Sequence, residues 1–447
     1  MLSLETWLHL LGPTPRKIVF PYMELMSGRD REPPVLVGSG EVNLQTPNSF
    51  EYTVVGKASD DRETFGRFLR AQKNPYETFD QFRLIGKDET GLEWQFGWTR
   101  PIVTDMPGAT WSIMGEIQVL STDVSDSSVN QLCSAENIIE FAVEHPMARV
   151  LGAFTTRMAD SPSPMRQHQI EVLGASIEFR YRPDLHTLSI LCPTTEELPH
   201  PYLENWLTAP FRIIFGQCVY PRLVARNFGN GRAMVNLRRS PGVIRNAGFA
   251  ALWGGEIGDK SKDAFWSLYA RLLTFIARAR DARGDRLFEE NPLGQFYQEV
   301  AQTARGTRWV WALTLASVVE GQTRMLVPPG TLRSDVDPCE VQSLCDHILA
   351  WKGSPSLRDR AIQSVASAQE VTATRALVDL RKQGVISDLE VSSWKSVRNE
   401  VMHGALLSPW SEKEEDEKLG NLASLFHKLT MQILKQAEGL DAVPIKP

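Results

Sequence analysis

Asp88-Glu89-Thr90-Gly91-Leu92-Glu93-Trp94-Gln95-Phe96-Gly97-Trp98 decides how the first half of the chain is read. Leu92, Trp94, Phe96 and Trp98 occupy alternate positions, so an extended backbone sends all four to one face. The Asp88–Gly91 segment ahead of them carries turn residues. Further along, Trp111, Ile113, Ile117 and Val119 continue the theme. Ile177, Phe179 and Tyr181 then alternate with Glu178, Arg180 and Arg182 before a Pro183-Asp184 turn. A period of two broken by turns predicts antiparallel hairpins, hence a sandwich- or barrel-like sheet over the first ~240 residues. Helices are expected within it at 134–145 and 202–217.

From about residue 260 the period becomes helical. Phe265, Leu268, Tyr269, Leu272, Leu273 and Ile276 follow the three-and-four spacing of one helix face. Further helices are predicted at 292–304, 306–322, 339–352, 355–383, 387–403 and 412–438. Ser354-Pro355 starts one of them and Gly384 stops it. Ser387-Asp388-Leu389-Glu390 is a capping-box pattern opening a helix that runs to Gly404. Proline agrees with the division, because 19 of the 27 lie before residue 242. The expected fold is therefore α+β and multidomain: a β-rich region over 1–255, then an all-α helical bundle over 256–447.

Composition narrows the function. A net charge of −6 gives no general affinity for nucleic acid, so such binding needs a local patch. The most apolar run, Trp309 to Val319, falls well short of the ~20 residues of a membrane span. The N-terminal MLSLETWLHLLG lacks a basic n-region and makes a poor secretory signal. Five cysteines, an odd number in a large chain, suit a reducing compartment. A cytoplasmic protein that does not engage membranes is expected. Cys339, Cys345 and His347 lack zinc-site spacing, and no phosphate-binding Walker loop or His-Glu-x-x-His is present, so neither a metal nor a cofactor is expected.

The stretch carrying chemistry is Trp394-Lys395-Ser396-Val397-Arg398-Asn399-Glu400-Val401-Met402-His403-Gly404. Trp394, Val397 and Val401 form its apolar stripe. Asn399 and His403 share a face, whereas Arg398 and His403 stand ~140° apart around the helix. This segment resembles the HEPN superfamily, specifically the Apea-type abortive-infection branch. The family signature is an Arg, then a polar residue that is often Asn, then a His after four to six intervening residues near a helix C-terminus. Arg398, Asn399 and His403 match it residue by residue, and the frequent glycine after the His is Gly404. The resemblance covers about 260–440. It implies a metal-independent endoribonuclease working as a homodimer in antiphage defence, with Arg398, Asn399 and His403 catalytic, RNA as substrate, and a β-rich region that senses a phage-derived trigger or restrains the nuclease. A second Arg-to-His spacing, Arg180 to His186, has Tyr181 after the Arg and spans a turn, and reads as background.

These residue types suit RNA cleavage. The 2′-OH is the nucleophile, histidine exchanges a proton near neutral pH, and a guanidinium forks onto the charge that builds on phosphorus. Glu400 reads as solvated or orienting, and His427 as a surface histidine that could approach the site. Residues 205–255 contain no Asp or Glu but seven arginines: Arg212, Arg222, Arg226, Arg232, Arg238, Arg239 and Arg245. They predict an anion surface in which Arg226, Arg232, Arg238 and Arg239 bind substrate, helped by the Gly229-Asn230-Gly231 turn. The competing reading spreads them over both faces of hairpins, paired with acids from elsewhere. The alternative function is a catalytically silent HEPN module that recognises a nucleotide, peptide or phage component.

Overall fold

A computed structural model describes residues 4–12, 16–28, 32–46, 49–74, 77, 81–106, 110–125, 132–142, 144–158, 164–239, 250–255, 257–288, 291–304, 306–327, 330–333, 335–404, 407, 410, 412–441 and 443–444. The chain divides into two compact units, Met1–Val243 with Trp253–Ala277, and Arg278–Pro447 with Ile244–Leu252. This division falls later than the boundary read at 255/256. The first long helix goes with the β-rich unit because its aromatic face packs there.

In the first unit the elements are β1 (Arg16–Ser27), β2 (Leu36–Thr46), β3 (Ser49–Ala58), α1 (Asp61–Lys73), β4 (Phe82–Lys87), β5 (Glu93–Thr99), β6 (Ile102–Asp105), β7 (Trp111–Ile117), β8 (Val119–Ser125) and β9 (Cys133–Glu140). They continue with α2 (Pro146–Phe154), β10 (Thr156–Arg157), β11 (Arg166–Val172), β12 (Ala175–Arg182), β13 (Thr187–Pro193), α3 (Leu203–Trp206), α4 (Ala209–Phe215), β14 (Leu223–Phe228), β15 (Arg232–Arg238) and α5 (Asp259–Arg278). The strands form one antiparallel sheet in the order β10-β11-β12-β13-β9-β14-β15-β8-β5-β4-β1-β2-β3-β7-β6. The run from β5 to β7 curls until its ends meet. Thr99 of β5 donates its hydroxyl to the Glu116 carbonyl of β7 at 3.2 Å and lies 2.8 Å from the buried Tyr52 hydroxyl of β3. Inside the curl, Phe68 of α1 stacks on Phe82 of β4 at 5.0 Å and on Trp111 of β7 at 5.9 Å. The other half of the sheet is covered by helices. Phe179 of β12 meets Phe211 of α4, and Trp266 and Tyr269 of α5. Tyr269 donates to the Leu207 carbonyl at 2.7 Å and Trp266 to the Phe154 carbonyl at 3.1 Å, so these buried rings satisfy their polar atoms.

Two expectations for this unit are corrected. Residues 134–145 are not a helix: Cys133–Glu140 is β9, held between β13 and β14 and buried on both faces, so its polar Ser134, Glu136 and Asn137 are buried along with Ala135, Ile138 and Ile139. Helix α2, capped by His145 and begun by Pro146, starts only beyond it. Trp98 does not join the inward face. Gly97 takes a left-handed conformation (φ +70°) where β4 and β5 slip register, which turns Trp98 outward and Thr99 inward.

The second unit contains α6 (Pro292–Thr303), α7 (Arg308–Leu326), α8 (Pro338–Ala350), α9 (Pro355–Gln369), α10 (Ala373–Lys382), α11 (Asp388–Met402) and α12 (Lys413–Ala437). The long helix expected at 355–383 is thus two, α9 and α10. The chain turns extended at Glu370 to bridge Leu332, and Thr372 caps α10 through the Arg375 N–H. Helix α11 lies against α7 and α12. Its Trp394 is buried, with the indole N–H donated to the Ala316 carbonyl at 3.2 Å. The capping box at Ser387 and Glu390 is present. Glu390 also accepts from Ser424 at 2.6 Å and pairs with Lys428 at 2.8 Å. Burial pushes the Glu390 carboxyl up, but bonds from Lys428, Ser424 and Ser387 outweigh it and hold it below the usual range.

Because that folded pKa lies below the unfolded one, the carboxylate stabilises the fold above the ordinary carboxylate range and loses its effect as pH falls through the folded value. Glu390→Gln should cost about 1–3 kcal/mol in urea unfolding at neutral pH. Its gap to wild type should close on acidification below the usual carboxylate pKa.

Candidate functional site

Around α11, one stripe is committed to the core: Val391, Trp394, Val397 and Val401 are buried. At 100° per residue, Arg398 stands ~40° from Trp394 and His403 ~180° away, so the first is half-covered and the second faces out. The structure follows this geometry. Arg398 is half-buried, its guanidinium 5.7 Å from the Trp394 ring centroid and its Nε 3.1 Å from Glu320 Oε2 on α7. Glu320 also receives Arg324 at 2.9 Å. Asn399, Met402, His403 and Gly404 are exposed. His403 is the C-cap, its backbone N–H bonded to the Asn399 carbonyl at 3.1 Å, and Gly404 leaves the helix at φ +76°. Neither the Asn399 nor the His403 side chain hydrogen-bonds to any described residue.

The chain thus gathers Arg398, Asn399 and His403 at one helix end without aiming them at one point, since Arg398 is drawn toward α7. Glu320 escaped the sequence reading. Its signal is slight: it is the lone acid of a helix whose other charged residues are Arg308 and Arg324. Glu400 accepts from Ser396 at 2.7 Å and lies 3.7 Å from Lys418. His427 belongs elsewhere, with its Nδ1 3.0 Å from the Tyr297 hydroxyl and the two rings stacked at 5.9 Å. Arg180 pairs with Glu178, and His186 sits in the β12–β13 turn. The described residues contain no cluster of three His, Cys, Asp or Glu that could hold a metal.

The arginine-rich segment is largely occupied by pairing within the β-rich unit. Arg226 is paired with Glu204, which is 1% exposed. Arg238 is half-buried, with a donor 3.4 Å from Asn205 Oδ1. Burial pushes the Arg238 guanidinium down from its ordinary value, with Glu204 opposing and Arg226 adding to the effect. Arg222 is buried, 3.1 Å from Glu140 and over the Phe50 ring at 5.1 Å. Arg212 is buried over Tyr220 at 4.7 Å, and Arg239 reaches Glu116 at 3.2 Å. Arg232 is exposed beside the Gly229-Asn230-Gly231 turn, and Arg245 lies outside the described residues. What the sequence concentrates, the hairpins spread over both faces, with acids from β7, β9 and α3 as partners.

Glu204 organises this cluster. Burial pushes its carboxyl up, but His200 (3.4 Å), its own backbone and Arg226 together bring it below the usual range. Compared with family models, with curated proteins and with solved structures, the chain matches none of them.

Replacing Glu204 by Gln leaves Arg226 without its buried counter-charge. Denaturant unfolding should show a loss of roughly 3–5 kcal/mol, whereas Arg232→Ala should stay within about 0.5 kcal/mol of wild type.

Proposed function

We propose that the chain is a metal-independent endoribonuclease of the HEPN kind, acting in antiphage defence by abortive infection. The observation that carries this reading is the arrangement on α11: an anchored Arg398, then Asn399, then an exposed His403 at the helix end, closed by Gly404. In the reaction the 2′-OH attacks the adjacent phosphorus and the 5′-oxygen leaves. His403 takes the hydroxyl proton or delivers one to the leaving oxygen. Arg398 stabilises the charge on the five-coordinate phosphorus, and Glu320 keeps its guanidinium oriented without quenching it. Asn399 holds the phosphate or the imidazole. The products are a 2′,3′-cyclic phosphate and a 5′-hydroxyl.

Two protomers complete the site. Arg398 and His403 diverge on one helix, so a phosphate gripped by both is built more easily where two copies of α11 meet on a two-fold axis. Exposed Met402 beside His403 gives that contact an apolar component (63% exposed). The β-rich unit responds to the trigger or restrains the nuclease.

Purified protein should cut RNA in EDTA and leave 2′,3′-cyclic phosphate ends, while His403→Ala folds normally and cuts at least 100-fold more slowly, in line with loss of a general acid–base. Activity restored only by Mg²⁺, or 3′-hydroxyl products, would contradict the mechanism. Sedimentation of the full chain should give a dimer, and a cysteine introduced at Met402 should crosslink the two copies. A monomer that still cuts RNA would reject the shared cleft and leave the chemistry standing.

A further inference from the structure

At the seam where β5 meets β7, the β-rich unit opens a groove of about 500 Å³, lined among others by Gln81, Trp98, Arg100, Ile102, Met114 and Gln118. Three features mark it as built. The first is the break in alternation at Gly97, whose left-handed backbone turns a tryptophan out of the core to 45% exposure. Bulges that re-aim one side chain concentrate beside functional sites. The second is the support given to that ring: the Arg83 guanidinium lies 5.6 Å from the Trp98 ring centroid and restrains it. The third is the wall made by Ile102 and Met114, direct partners across the β6–β7 ladder, 58% and 38% exposed. Gly115 keeps the floor low, because the Tyr52 side chain lies where a side chain there would go, its hydroxyl 2.7 Å and its ring 2.9 Å from the position of a Cβ.

We propose that this groove binds one planar nitrogen heterocycle, a nucleobase, carried by a free nucleotide or by a single strand of nucleic acid. The indole supplies a flat stacking surface, and Ile102 and Met114 supply the apolar edge. The amide of the exposed Gln118 offers a donor and an acceptor, which suits the mixed pattern on a base edge. The volume accommodates a ring with its sugar and is too small for a stretch of folded partner. Glu51 and Glu116 share the rim with Arg100, so neither a strong anion nor a strong cation is favoured over a neutral ring. The inference stands apart from the chemistry at α11 and does not depend on it.

The test is calorimetric titration of the full chain with adenosine, guanosine, cytidine and uridine, with their 5′-monophosphates, and with a ten-nucleotide RNA. At least one should bind with a Kd of ~1 mM or tighter. Trp98→Ala should weaken that binding roughly 5- to 150-fold, and Trp98→Tyr should retain most of it. Met114→Arg, an exposed change that fills the groove, provides a second variant, and thermal melting verifies that each folds. Equal affinity for monomer and oligomer identifies a free nucleotide as the ligand. A Trp98-dependent response to the oligomer alone identifies a strand. No binding by any probe, or binding unchanged in both Trp98→Ala and Met114→Arg, overturns the proposal.

Discussion

The indole of Trp394 can lie in only one place, and the packing of α7, α11 and α12 is arranged around that fact. Its ring is buried and its N–H is satisfied by the Ala316 carbonyl of α7. An indole N–H left unpaired in the interior would cost several times what the bond contributes, so α11 cannot rotate appreciably about its axis. With the azimuth fixed, Val397 and Val401 follow into the core. Arg398 emerges at the α7 edge, where Glu320 meets it, and Asn399 and His403 face away. The position of each polar residue is thus set by the packing of Trp394, roughly one to two and a half turns earlier.

Two buried carboxylates extend the same logic to charge. Glu390 ties the start of α11 to α12 through Ser424 and Lys428. Glu204 draws His200 and Arg226 together beneath the β14–β15 hairpin. Each keeps its negative charge because cationic and hydrogen-bonding partners outweigh burial. The local excess of arginine is therefore largely absorbed inside the β-rich unit. A count of charges along a strand says little about the surface when alternate residues point to opposite faces.

How far the sequence could be read depended on whether local signals were in command. Around α11 they were: the capping box, the apolar stripe and the closing glycine all act within a turn or two of the residues that carry them, and the helix appears where they put it. The alternation of Ile177, Phe179 and Tyr181 was equally direct. The failures were non-local. Cys133–Glu140 shows no period of two because a strand covered on both faces buries its polar Ser134, Glu136 and Asn137 along with its apolar residues. Trp98 departs from the alternation because one glycine changes the parity of every residue beyond it. The break between α9 and α10 has no glycine or proline to announce it, only a bridge to Leu332 and a threonine cap. The Arg226–Glu204 and Arg398–Glu320 pairs join residues 22 and 78 positions apart, which no window on the sequence spans. The placement of Arg398, Asn399 and His403 at one helix end follows from their spacing; the acid that pairs with the arginine does not.

The most direct measurement of the central claim is sequencing of RNA 5′-hydroxyl ends from cells expressing the wild-type chain, His403→Ala, or Arg398→Ala at matched levels. Cleavage by 2′-OH attack predicts new 5′-hydroxyl ends at reproducible positions in the wild type and their disappearance in both variants. An end profile indistinguishable among all three chains, under conditions where the wild type is toxic, would contradict the assignment of ribonuclease chemistry to the end of α11.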